Sequence, residues 1–290
     1  SMMGASVVVG SYVPDRHEFN SALSQAGWIP IDASVKGLDY AAACPQGPGS
    51  CRDLTRSEED LLLNRVALEV TEAAPSGLVS GYYLTDDYWT ALGRLLPKVY
   101  QAIRSRDATT PTVCGFSLNL SLRGAAGATA SDPLAAFAKA LQNYSPRWCD
   151  SVLIYSYAPS SKVWLAASVD WKMSATLSQA LAILRSRGWR PSKSPFYGTV
   201  QAFGATPPTP RPHDVRQGYR PAPDPADLLT QISAFCSQGA QAILAYAWND
   251  GQPDRPLQLS TSPELRLALA KGYRACQRRW TNDERSKDLA

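Results

Sequence analysis

Two rhythms of apolar and polar positions alternate along this chain. Short, nearly continuous apolar runs are each followed by a segment whose apolar residues recur every three or four positions. The first pattern predicts strands buried on both faces, and the second predicts amphipathic helices. Ser6–Val13 reads as a strand, and Phe19, Leu23 and Ala26 place a helix behind it that stops at Gly27. Trp28–Ser34 is the second strand. Leu61, Leu62, Val66, Leu68 and Val70 form the apolar face of the next helix, which Thr55 or Ser57 can cap. A third strand lies within Gly77–Trp89, and its helix runs from Ala91 to near Arg106.

The same alternation continues to the end. Strands are expected at Pro111–Asn119, Cys149–Tyr157, Pro195–Phe203 and Ala240–Asp250. Helices are expected at Asp132–Asn143, Ser174–Arg187, Pro225–Ser237 and Pro263–Trp280. Gly204–Asp224 carries too much proline for regular structure and reads as a long loop. Seven strand–helix repeats in this length predict an α/β protein, a (β/α)8 TIM barrel, as one domain over residues 5–280. The charged residues 281–290 read as a frayed tail. The count is one strand short of eight. The missing strand is in the loop around Cys44, or upstream of residue 1, or the barrel is irregular. A doubly wound open sheet is the structural alternative, but no Gly-x-Gly-x-x-Gly fingerprint follows any strand.

Composition narrows the function more than it names it. The formal net charge of +4 is spread along the helices and tail, with no basic stripe for nucleic acid. No apolar run reaches the roughly 18 residues of a transmembrane helix, and Ser1–Gly4 has no signal-peptide character. A monomer is expected. Cys44 and Cys51 close a short Pro/Gly loop, which predicts a disulfide there and an oxidising, secreted or periplasmic setting. A cytoplasmic protein with free thiols is the alternative. Cys114 sits in an apolar run and reads as core; Cys236 and Cys276 fall on helices with their pairing open. His17 and His213 are the only histidines, so neither a metal site nor Ser-His-Asp catalysis is expected, and no cofactor is implied.

Candidate chemistry gathers at the C-terminal ends of the predicted strands, where parallel α/β folds place their sites. Tyr12, Asp32, Asp86, Asp87, Asn119, Tyr155, Tyr157, Gln201, Trp248, Asn249 and Asp250 all stand there, with Tyr83 nearby. Amides and carboxylates hold hydroxyl groups, and aromatic rings lie against the apolar faces of sugar rings. Paired carboxylates supply the acid and base, or acid and nucleophile, of glycosidic cleavage. Each residue also has a plainer role. A strand-end tyrosine or tryptophan often packs the rim, and an aspartate after a strand often caps the next helix.

The segment Gly81-Tyr-Tyr-Leu-Thr-Asp-Asp-Tyr88 resembles the fourth-strand segment of glycoside-hydrolase-like TIM barrels, which often runs Gly-Trp-Tyr-Leu-x-Asp-Glu-Pro. Asp150–Tyr157, Gly198–Gly204 and Gly239–Trp248 resemble strands six, seven and eight of such barrels. The resemblance implies a glycoside hydrolase acting on a polysaccharide or oligosaccharide. It implies Asp87 as general acid, with Asp86 in support and Asp32 or Asp250 as the second carboxylate. Tyr12, Tyr83, Asn119, Tyr155, Tyr157, Gln201, Trp248 and Asn249 would bind the sugar. The match departs at strand seven. Many retaining enzymes of this kind carry their nucleophilic carboxylate where this chain has Gln201, and an amide cannot attack. A substrate N-acetyl group acting as nucleophile, or a degenerate barrel that binds carbohydrate without cleaving it, are the alternatives.

Overall fold

The computed structural model describes residues 8–9, 27–30, 52–76, 79–85, 90–118, 134, 137–138, 141–156, 173–204, 223–246 and 257–287. Among them a parallel sheet runs through β1 (Val8–Val9), β2 (Gly27–Pro30), β3 (Val79–Thr85), β4 (Thr112–Ser117), β5 (Ser151–Ser156), β6 (Phe196–Gln201) and β8 (Ala242–Tyr246). Between β6 and β8, β7 (Phe203–Gly204) forms a small antiparallel ribbon with β9 (Leu257–Gln258). The helices are α1 (Arg56–Ala73), α2 (Thr90–Arg104), α3 (Met173–Ser186), α4 (Pro225–Ser237) and α5 (Pro263–Lys287).

Strand order in the sheet follows chain order, and every pairing in it is parallel. A doubly wound sheet reverses its strand order at a switch point; this one does not. Right-handed crossovers that always step the same way put all the helices on one face. The other face is left to curl upon itself, as in a partial barrel.

The side chains sort accordingly. Leu84, Phe116, Ile154 and Val200 point outward and share one core with Leu62, Leu96, Leu181, Phe235 and Leu269 of the helices. Tyr83, Val113, Leu153 and Tyr155 form a separate inner cluster, with Tyr197 and Leu244 packed on it. The period-two alternation of β-strands divides the sheet into these two faces. Close approach of α4 to β6 requires glycine at 198. A Cβ there would stand 2.3 Å from the ring of the buried Phe235.

Helix starts follow local chemistry. Thr55 caps α1 in a reciprocal box with Glu58, and Asp224 caps α4 with Asp227, followed by Pro225 in the first turn. Glu58 also takes a two-pronged ion pair from Arg52. That guanidinium, with the Thr55 N–H and hydroxyl, pulls its carboxyl down to about 2.

Three expectations need correction. Cys114 is more than core packing: it forms a disulfide with Cys149, and both are buried. The last helix runs to Lys287 rather than ending at Trp280. The predicted strand Pro195–Phe203 breaks at Ala202, because Phe203–Gly204 leaves the parallel sheet for the ribbon with Leu257–Gln258. Cys236 and Cys276, whose pairing the sequence left open, bridge α4 to α5. Cys44 and Cys51 lie outside the described residues. Two buried disulfides fit an oxidising compartment. No helix among the described residues is long and apolar enough to cross a membrane.

The N-terminal edge of the sheet carries a polar network. Arg104 reaches Asp150 and the Thr110 carbonyl, and Asp150 accepts from the Thr112 N–H and hydroxyl. Beside it Asp107 accepts from the Tyr82 hydroxyl at 2.9 Å and from the Thr109 and Thr110 N–H groups at 3.1 and 3.0 Å. Partial burial acts to raise the Asp107 carboxyl, but these bonds, led by those from Thr110, outweigh it and hold it well below the carboxylate range. A depressed folded pKa gives stability that is present above the unfolded value and lost on acidification. The melting temperature should therefore fall as pH drops below about 4. Asp107→Asn should lower stability at neutral pH and flatten that acid slope. Thermal melts between neutral pH and pH 2.5 (about where the unfolded carboxylate has protonated) would show it, and a slope unchanged in the variant would refute this role.

Candidate functional site

The C-terminal edge and inner face of the sheet carry Tyr83, Tyr155 and Gln201, the three predicted site residues that the structure describes. Neighbouring strands bring inner-face residues side by side. Tyr83 pairs with Val113, Tyr155 with Thr199, Thr199 with Leu244, and Gln201 with Tyr246. Tyr83 and Tyr155 are both buried and form a packed floor below the edge. Tyr197, one layer deeper beside Leu153, has its phenol pushed up by burial, against a bond to Ser151.

Gln201 is wholly buried at the end of β6. Its N–H donates to Gln231 Oε1 on α4 at 3.0 Å, and its Nε2 donates to the Phe203 carbonyl at 2.9 Å. The side chain thus fixes the turn by which the chain leaves the sheet. The Ala202 N–H donates to the Tyr246 carbonyl at 2.6 Å. The Phe203 ring stands edge-on to the Tyr246 ring, with centroids 5.3 Å apart and planes at 88°. Phe203 is buried, while Tyr246 is 39% exposed at the edge of the sheet.

Thr199 lies one inward position below Gln201. Its residue is 6% exposed, and its Oγ1 has no hydrogen-bond partner among the described residues. A buried hydroxyl without a partner is costly, and such groups repay explanation.

Of the residues expected to form the site, Tyr83, Tyr155 and Gln201 lie on the inner face. Asp87, Asp86, Asp32, Asp250, Tyr12, Asn119, Tyr157, Trp248 and Asn249 lie outside the described residues. β3 is described up to Thr85, and Asp86–Asp87 follow directly in sequence. Sequence reasoning missed Thr199, Phe203 and Tyr246. The signal was available for Tyr246, which precedes Trp248 by one strand period and so shares its expected face. No group of His, Cys, Asp and Glu able to hold a metal occurs among the described residues.

No protein-family model and no curated protein sequence matches this chain. Solved structures do resemble it. The GH2 β-galacturonidase of Eisenbergiella tayi, solved with galacturonate bound, superposes with a TM-score of 0.55 at 11% identity. That match covers 94% of this chain and 46% of the galacturonidase. Bacteroides uniformis β-glucuronidase gives 0.49 at 11% identity, over 85% of this chain and 27% of that enzyme. Ruminococcus gnavus β-glucuronidase gives 0.45 at 11% identity, over 85% and 37%. The first of these likenesses is one of fold. The chain spans less than half the length of the enzyme it superposes on.

Proposed function

We propose that this chain is a glycoside hydrolase domain whose site lies at the C-terminal edge of a (β/α)8 barrel. The observation that carries the reading is the inner face itself. A parallel sheet in chain order turns tyrosines to its inner face toward one edge, and acids follow in sequence. Asp86 and Asp87 come after β3, and Asp250 comes after β8. In this reading Asp87 protonates the leaving oxygen, Asp86 supports it, and Asp32 or Asp250 is the second carboxylate. Tyr83 and Tyr155 floor the sugar site. Tyr12, Asn119, Tyr157, Trp248 and Asn249 contact the sugar from neighbouring strand ends. The two disulfides support export. The fold likeness to a β-galacturonidase supports the architecture.

Gln201 favours a second reading. The position where related barrels carry a nucleophile holds an amide that is buried and committed to the Phe203 carbonyl. That arrangement suits a barrel that binds carbohydrate without cleaving it. One experiment separates the two. The protein is incubated with a panel of polysaccharides and aryl glycosides, uronides included, and reducing ends and free aglycone are measured beside binding on a glycan array. Release supports the hydrolase. Binding without release supports the second reading. Neither would remove both.

A further inference from the structure

The end of the sheet opposite the candidate site carries charge that the hydrolase reading leaves unused. Three segments stand side by side there: residues 104–111 lead into β4, 145–150 into β5 and 185–195 into β6. Together they hold six arginines and one lysine against two carboxylates, Asp107 and Asp150. The sequence carries one sign of this: residues 171–213 contain six Lys or Arg and no Asp or Glu.

The segments are fastened to one another. The Thr112 hydroxyl at the start of β4 donates to the Trp148 carbonyl at 3.0 Å, and the Val152 N–H donates to the Pro195 carbonyl at 3.0 Å. A Cβ at Gly188 would stand 3.8 Å from Pro146. The third segment is also closed on itself. Gly188 takes φ +96°, and the buried Trp189 donates its Nε1–H to the Ser194 carbonyl at 3.1 Å.

Basic residues at a helix C-terminus ordinarily serve the helix or its neighbours. Three of these cations are so used. Arg104 pairs with Asp150, Arg185 lies over the Trp189 ring, and Arg190 donates to the Arg185 and Trp189 carbonyls. Arg106, Arg147, Arg187 and Lys193 are not. All four are exposed, and none of their side chains has a hydrogen bond or ion pair among the described residues. The two nearby carboxylates are engaged from within, Asp107 by Tyr82 and the Thr109 and Thr110 N–H groups, Asp150 by Arg104 and Thr112. Four unpaired cations on a rigid frame repel one another, and a polyanion lying across them would relieve that.

We propose that this face is a docking surface for an acidic polysaccharide, a polyuronate, which holds the domain on its polymer from the end opposite the candidate site. Guanidinium forks match carboxylates in geometry, and three of the four free cations are arginines. A membrane would call for exposed apolar side chains, but the large ones among the described residues, Leu61, Leu68, Tyr246 and Leu267, all lie outside these segments. A single-stranded nucleic acid would call for rings to stack on, but Trp189 is buried and Trp148 half-buried. The choice of a polysaccharide rests on the carbohydrate reading above; the cationic face does not.

The test measures binding of the intact protein to alginate, with neutral pullulan beside it, at about 50 mM and about 300 mM salt. Wild type should bind alginate and not pullulan, and should weaken as salt rises. Replacing Arg147, Arg187 and Lys193 together by Ser should lower alginate affinity about tenfold, the combined worth of three exposed ion pairs, and should flatten the salt dependence. The melting temperature should not move, since these side chains make no contact that would be lost. Replacing Arg56, Lys271 and Arg274 by Ser removes the same charge from α1 and α5 and should change affinity less than twofold. Wild-type affinity in the first variant, or an equal loss in the second, would overturn the surface. So would equal binding of pullulan, or tighter binding of DNA or of phosphatidylglycerol vesicles. Failure of the hydrolase reading looks different: alginate binding that the first variant loses, with no glycan cleaved by the wild type, would end that reading and leave the docking surface standing.

Discussion

Asp87→Asn should reduce glycoside hydrolysis by about a thousandfold while leaving glycan affinity and the melting temperature near wild type. A general acid contributes typically 10²–10⁴ in rate, and an amide of the same shape cannot donate the proton that the leaving oxygen needs. Substrates should be affected unequally. An aryl glycoside with an acidic phenol as leaving group needs little protonation, so its loss should be smaller than that on an alkyl or sugar leaving group. That split is the signature of a missing acid, and a merely structural defect would not produce it. Asp86→Asn should cost only about tenfold, because neighbours on an extended strand point to opposite faces. The fold supplies a sharper version of this comparison. β3 and β4 pair Tyr83 with Val113 but Thr85 with Cys114, a register shift of the kind that re-aims side chains beside active sites. Regular alternation continued from Tyr83 would bring Asp87 inward, and a shift by one would bring Asp86 inward instead. If Asp86→Asn gave the large leaving-group-dependent loss and Asp87→Asn the small one, the acid would be Asp86. Equal rates in both variants and the wild type would end the glycosidase assignment.

The fold was readable because its signal is periodic. The runs Thr112–Phe116 and Ser151–Tyr155 are buried on both faces, and continuous burial writes itself into sequence. Pro225–Ser237 was placed to the residue, since Asp224 and Pro225 punctuate its start. The division of those runs into two faces was not readable, because an apolar residue does not say which core it enters. Tyr82 faces the helices and Tyr83 the inner cluster, and the sequence treats them alike. Thr199 and Tyr246 were hidden for a related reason. An unsatisfied hydroxyl and a partly exposed ring are properties of surroundings, and a sequence reports only identities. The cysteine partners were hidden too, for pairing is set by distance in space: Cys114 and Cys149 are separated by 35 positions, Cys236 and Cys276 by 40.

Those two bridges are expected to carry much of the fold's stability. Each closes a long loop, and loop-closure entropy grows with the logarithm of loop length. For separations of 35 and 40 positions the chain-entropy relation gives about 4 kcal/mol per bridge. Total stabilities of single domains lie at roughly 5–15 kcal/mol, so either bridge is a large fraction of the whole. Cys114→Ala with Cys149→Ala should lower the melting temperature by about 6–7 °C, given the entropy of unfolding of a chain this long. Cys236→Ala with Cys276→Ala should do about the same. The bridges share no residue, one tying β4 to the turn before β5 and the other tying α4 to α5. Their effects should therefore add in the quadruple variant. All four cysteines are buried, so a reductant should act slowly on the folded protein and quickly once denaturant opens it. Refolding after that reduction should yield a melting temperature no higher than that of the quadruple variant, because the expected Cys44–Cys51 bridge is opened as well. A reduced protein that melts with the oxidised one would mean that packing alone holds these joints. A reduced protein that loses only one shift would mean that one bridge is redundant with the core around it. The first bridge is expected to bear on the site as well as on stability. It fastens the long crossover from β4 to β5, between the two strands whose inner residues, Val113 and Tyr155, help to build the floor of the site.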